Sequence, residues 1–160
     1  MAQSQNRPNL TPQDIQSMLY TYQMLEQQLE SMHAERAAIA RQIENFERTK
    51  STVLGLKGKE EGHEVIFPVG IVYFKAKIVE PEKVLVNLGA DRVVEKTPDE
   101  AIEYLDNIIK NMTGFIEKAD KDIDKTTNDL VRIKPMVDAI YNSMGRNMRS
   151  QMGGSKPEDK

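Results

Sequence analysis

The chain has 160 residues, 39% apolar, 29% charged and 6% aromatic, with no tryptophan and a net charge of −3. That is one domain's length, but apolar residues are too spread out for an ordinary compact core and suit burial along helix seams. The absence of cysteine excludes disulfide scaffolds, thiolate metal sites and cysteine nucleophiles; basic residues are dispersed, Arg146 and Arg149 being the nearest thing to a basic stripe, which argues against nucleic acid as a partner.

Residues 1–11 are polar and expected to be disordered, and MAQSQNRPNL lacks the apolar core of a signal peptide. No apolar run approaches the roughly 18 residues of a membrane span, so no membrane contact is expected and the expected location is the cytoplasm. A first helix is expected over residues 12–57. Thr11 is its N-cap, Pro12 its first position, and Asp14 suits its positive end. A heptad seam follows through Ile15, Met18, Tyr22, Leu25, Leu29, Met32, Arg36, Ile39, Ile43, Phe46, Lys50 and Val53. Ten of these twelve are apolar, which favours a coiled coil. Gly55, Gly58 and Gly62 end the helix.

The period then shortens to two, with β-branched and aromatic residues, over residues 62–97. Four strands are predicted: Glu64–Phe67, Val72–Val79, Lys83–Leu88 and Arg92–Lys96. Pro68-Val69-Gly70, Pro81-Glu82 and Gly89-Ala90-Asp91 supply the breaks. So few strands cannot bury both faces and leave open edges, so this segment is expected to pair with other chains. The residues expected at that interface are Val65, Phe67, Val69, Ile71, Tyr73, Ile78, Val84, Val86, Leu88 and Val93.

A second helix is expected over residues 98–148, with Thr97 as cap and Glu100 completing a capping box. Its seam is Ile102, Leu105, Ile109, Met112, Ile116, Ala119, Ile123, Thr126, Leu130, Ile133, Val137, Ile140 and Met144, apolar except Thr126. Residues 149–160 are expected to be a disordered tail. The two seams match antiparallel when paired positions sum to 155: Val53 faces Ile102, Phe46 faces Ile109, Ile43 faces Met112, Leu25 faces Leu130, and Ile15 faces Ile140. Arg36 falls opposite Ala119, where its stem can cross the gap and its head reach water. Gly114 and Pro135 lie on the outer face, and Pro135 is expected to bend or interrupt the helix.

No catalytic constellation, cofactor site or metal site is found. His33 and His63 are far apart. Gly55-Leu-Lys-Gly58-Lys59 lacks the spacing and strand context of a phosphate loop, and Asp120, Asp122 and Asp124 lack the glycine and glutamate of a calcium loop. Six of nine methionines (Met18, Met24, Met136, Met144, Met148 and Met152) cluster with Tyr20, Tyr22 and Tyr141 toward the helix ends remote from the strands. Such flexible apolar surfaces suit varied partners, although seam packing alone accounts for Met18 and Tyr22.

Helix, strand-rich centre and helix, with Val65-Ile-Phe-Pro-Val-Gly70, Val84-Leu-Val-Asn-Leu-Gly89 and Asp99-Glu-Ala-Ile102 in that order, resembles the prefoldin subunits, closest to the α type with two hairpins. Asn87, Asp91-Arg92 and Pro135 depart from the family pattern. The resemblance implies an α+β, mainly α, fold: a long antiparallel two-helix coiled coil joined by two β-hairpins that form part of an oligomeric β-barrel. It implies a hexamer of two α and four β-type subunits. It further implies an ATP-independent, non-enzymatic co-chaperone that captures non-native polypeptides at coiled-coil tips and passes them to a group II chaperonin. The expected tip contacts are Ile15, Leu19, Tyr20, Tyr22, Met136, Ile140, Tyr141, Met144 and Met148. The alternative is a self-assembling scaffold or filament subunit of the same fold.

Overall fold

The computed structural model describes the backbone of residues 11–152 and the side chains of residues 11–146. The elements are α1 (Pro12–Leu56), β1 (Glu64–Val69), β2 (Val72–Lys77), β3 (Val84–Asn87), β4 (Val93–Lys96) and α2 (Pro98–Met152). The expected α+β, mainly α, architecture is therefore present: two long helices and two antiparallel hairpins, β1–β2 and β3–β4, each a separate two-stranded sheet. The tail expected from residue 149 is helical as far as Met152. Residues 1–10 and 153–160, both expected to be disordered, lie outside the described residues.

Local chemistry sets the helix ends. The Thr97 hydroxyl accepts from the Glu100 N–H at 3.2 Å while the Glu100 carboxylate accepts from the Thr97 N–H at 2.8 Å, the expected capping box. Thr11 and Asp14 make the same reciprocal pair at 3.2 and 2.9 Å. Asp14 thus binds its cap directly, a stronger role than the dipole contact expected of it. Gly55 sits inside α1, so its surroundings are helix and not a loop.

By packing, the chain forms two compact units. Of the described residues, one holds 11–36 and 119–152, and the other holds Ala37–Lys118. In the first unit α2 buries Ile123, Thr126, Val137 and Ile140; in the second it buries Ala101 and Leu105. All but Ala101 are predicted seam positions. Along α1 all twelve predicted seam residues are partly shielded and none is fully buried. On α2 every predicted seam residue is shielded or buried except Met144. The seven-residue period therefore identified most of the buried stripe, missing Ala101 and overreaching at Met144.

The polar interruptions of the seam are satisfied by short lateral moves. Arg36 makes a two-pronged hydrogen-bonded ion pair with Asp120, its Nη2 lying 3.2 Å from Oδ2. Lys50 reaches Asp106 at 2.5 Å, and Lys57 reaches Asp99 at 2.5 Å. Arg36 and Lys50 thus each lean to the residue after the one predicted opposite, where α2 supplies a carboxylate. The Arg36 head ends on Asp120, where bare water was expected. Thr126, the polar seam residue of α2, donates to the Asp122 carbonyl at 3.0 Å, so its burial orphans no hydroxyl.

Of the two outcomes expected of Pro135, an interruption does not occur: α2 runs unbroken through it. It removes the N–H that would bond the Val131 carbonyl. Val131 is exposed, so water can serve that carbonyl, while Val137 and Ile140, at 2% and 6% exposure, hold the following turns in the seam.

Candidate functional site

The unit containing the hairpins carries the first candidate surface. β1 and β2 pair in register from Glu64↔Lys77 to Val69↔Val72, leaving Gly70-Ile71 as a two-residue loop. Gly70, with φ 63°, occupies the first central position, where a type II′ turn needs a positive φ. Pro68 and Val69, expected to break the strand, belong to it, since a free edge tolerates proline.

Alternation gives this hairpin one face of three apolar cross-strand pairs: Val65/Ala76, Phe67/Phe74 and Val69/Val72. The Phe67 and Phe74 rings stack with centroids 5.7 Å apart, and both remain exposed. The opposite face is amphipathic: Glu64/Lys77, Ile66/Lys75 and Pro68/Tyr73. Ile71, at the loop, is 96% exposed.

The second hairpin differs. Val84, Val86 and Val94 share one half-covered face, and Val84, Val86 and Leu88 line a groove with Phe46, Val53 and Leu105 of the helices. Leu85 and Val93 point the other way and are exposed. Its loop is tight: Gly89, Ala90 and Asp91 all have positive φ, Ala90 at 49° and Asp91 at 57°. Asn87 Oδ1 accepts from the Gly89 N–H at 2.8 Å and braces the turn.

The other unit carries the second candidate surface. Tyr20, Met24, Val131, Met136, Tyr141 and Met144 are all exposed. Tyr20 and Met24 stand one turn apart on the outer side of α1, so they form one apolar spot. The seam remains closed at Ile140 and opens at Met144, 48% exposed. In the predicted register the residue opposite Met144 is Thr11, a cap with no large apolar side chain to cover it. Tyr22 is half-buried, and its hydrogen bond with the Glu26 carboxylate raises its phenol above the ordinary value.

A family profile described as Prefoldin subunit matches residues 25–143. The chain belongs to the prefoldin family. Its similarity runs to the α type: it is 32% identical to prefoldin subunit alpha of Methanoregula boonei, covering 80% of this chain and 74% of that one. With prefoldin subunit alpha of Methanospirillum hungatei it is 31% identical, covering 76% and 88%. With prefoldin subunit alpha 1 of Thermococcus kodakarensis it is 33% identical, covering 60% and 66%. Among solved structures, a filamentous prefoldin from Methanocaldococcus jannaschii matches with TM-score 0.64 and 24% identity, over 72% of this chain and 97% of that one. The prefoldin beta subunit of Thermococcus strain KS-1 matches with TM-score 0.54 and 15% identity, over 84% and 96%. These structures share the fold.

Within this prefoldin chain the expected site residues separate clearly. Of the interface set, Phe67, Val69, Ile71, Tyr73, Leu88 and Val93 are exposed, whereas Val65, Ile78, Val84 and Val86 are half-covered by the chain itself. Of the tip set, Tyr20, Met136, Tyr141 and Met144 are exposed, and Ile15, Leu19 and Tyr22 are half-buried. Ile140 is corrected: the seam encloses it. The Met148 side chain lies outside the described residues. Sequence reasoning omitted Val72, Phe74 and Leu85 from the interface and Met24 and Val131 from the second surface. Strict alternation from Phe67 runs through Ile71 to Tyr73 and skips Phe74; the two-residue loop reverses the parity and sets Phe74 opposite Phe67. Leu85 was missed because the covered face of a short strand cannot be assigned before its packing partner is known. Among the described residues, no group of three or more His, Asp or Glu is placed to hold a metal ion, and no helix is long and apolar enough to cross a membrane.

Proposed function

We propose that this chain is the α-type subunit of an ATP-independent co-chaperone of the cytoplasm. It assembles with β-type prefoldin subunits, two α with four β, through its hairpins. It captures non-native polypeptides at the coiled-coil ends and passes them to a group II chaperonin. The observation that carries this reading is the large apolar surface each unit leaves in water, on the hairpins and around Tyr20, Tyr141 and Met144. Burial is worth about 25 cal/mol per Å2. One small patch therefore binds weakly, and several patches on one assembly hold a substrate by multivalency. Weak separate contacts also let go without nucleotide hydrolysis, so no catalytic group is needed.

The test is replacement of Leu19, Tyr141, Met144 and Met148 by Ser, followed by assembly and an aggregation assay with an unfolded substrate. The expected outcome is normal assembly with at least severalfold weaker suppression of aggregation. Unchanged suppression by an intact assembly contradicts the capture surface. The behaviour of the chain without a partner separates the alternative: long polydisperse assemblies point to a scaffold or filament subunit, and a small species that becomes a defined hexamer on adding the β type points to the co-chaperone.

A further inference from the structure

The two free edges of the first hairpin are chemically unequal. Antiparallel pairs alternate between those that exchange hydrogen bonds and those whose backbone groups face outward. The phase is set at the base of the hairpin, where the Ile78 N–H donates to the His63 carbonyl at 3.0 Å and the Gly62 N–H donates to the Ile78 carbonyl at 2.7 Å. Gly62, with φ 83°, and His63 together oppose Ile78, a bulge of the kind that needs glycine in the left-handed region. Continued along the register, Val65, Phe67 and Val69 bond inward to Ala76, Phe74 and Val72. The outward backbone groups therefore belong to Glu64, Ile66 and Pro68 on β1, and to Tyr73, Lys75 and Lys77 on β2. Pro68 has no N–H, so the β1 edge lacks a donor in its last outward position. The β2 edge keeps all three donors.

We infer that the open edge of β2 is the edge that recruits a partner strand, and that the occupant is a strand of a β-type subunit alternating acidic and apolar side chains. This rests on the hetero-assembly reading above and names the partner chemistry of that surface. The occupant follows from complementarity. Tyr73, Lys75 and Lys77 project to one side of the edge, and Val72, Phe74 and Ala76 to the other. Lys75 faces Ile66 across the ladder, and among the described residues no carboxylate is within ion-pairing distance of it. Lys77 lies only loosely against Glu64, at 3.8 Å. An incoming strand meets two ammonium groups on one face and three apolar side chains on the other, and unlike charges directly opposite favour pairing. This chain's own strands have no two acidic residues at alternate positions, so a second copy does not supply the match.

The experiment compares full-length wild type, K75E/K77E, K75P and P68A, each titrated with the β-type prefoldin subunit of the same cell. Complex mass and apparent affinity are measured at low and high salt. Helix content and melting of the isolated chain check the fold. Expected results are at least tenfold weaker association for K75E/K77E and K75P and unchanged association for P68A. Wild-type association should weaken as salt rises, while K75E/K77E loses that dependence. Unchanged affinity in K75E/K77E and K75P overturns the edge assignment. Equal loss from charge reversal on the β1 edge, by E64K/I66K, overturns it as well. Self-association of the isolated chain abolished by K75E/K77E overturns the hetero-partner in favour of a second copy. A wild-type chain that forms no complex with the β-type subunit overturns the hetero-assembly reading and the edge assignment together.

Discussion

Asp120 carries one of the three cross-helix ion pairs beside the seam. The hydrogen bond from Arg36 holds its carboxyl below the ordinary value of 3.8, with the charge of Arg36 adding to it. Asp14 and Glu100 are likewise held down, by their bonds to Thr11 and Thr97. A depressed native pKa stabilises the fold fully above the ordinary value, and that stability is lost as pH falls through the native one. The melting temperature is therefore expected to be flat at neutral pH and to drop as pH goes below roughly 4. D120N should melt lower than wild type at pH 7 and show a smaller acid drop. An acid drop of the same size in D120N, measured by circular dichroism melting between neutral pH and pH 3, contradicts this. Because Asp120 is only half-covered and its tie to Arg36 is an ion pair, raised salt should shrink the Arg36–Asp120 contribution more than the capping bonds.

Among the elements, α2 shows where seam packing outweighs local propensity. Pro135 costs a backbone bond, yet the turns beyond it stay helical because Val137 and Ile140 have a seam to fill. P135A restores the donor to the Val131 carbonyl and is expected to stabilise the chain by about 1–3 kcal/mol. An unchanged or lower melting temperature contradicts that. The helices, their caps and their buried stripe were legible in the sequence because each rests on a local or periodic rule: Thr97 with Glu100, and apolar side chains three and four apart. The proline outcome was not, since it depends on cross-helix packing that no local rule contains. The hairpins were legible as elements, but not in which side of β3 faces outward. Val86 and Leu85 are both apolar and both border the groove lined by Phe46 and Leu105, and only their cover distinguishes them: Val86 is half-covered while Leu85 is exposed.

That distinction matters for the molecule as a whole, because it separates folding from assembly. L85D places a charge on the outward face, so the isolated chain should melt as wild type while complex formation with β-type subunits is reduced at least tenfold. V86K places a charge in the groove beneath the hairpin and should lower the melting temperature of the chain itself, since an unpaired charge is driven against apolar side chains. Light scattering coupled to size exclusion, with melting of each variant, checks both; equal behaviour of the two variants contradicts the assignment. The ion pairs of the seam carry a further consequence. Arg36, Lys50 and Lys57 are separated by two heptads and one, their partners Asp120, Asp106 and Asp99 by the same steps in reverse, and the skipped position holds Ile43 and Thr113. The spacing works as a barcode. Sliding one helix past the other by a heptad sets Arg36 beside Thr113 or Ile43 beside Asp120, so every misaligned frame strands a charge. A neighbouring helix of another chain without the same gapped code forgoes these pairs, a bias toward the chain's own register and not a bar, since exposed ion pairs are worth about 1 kcal/mol or less each.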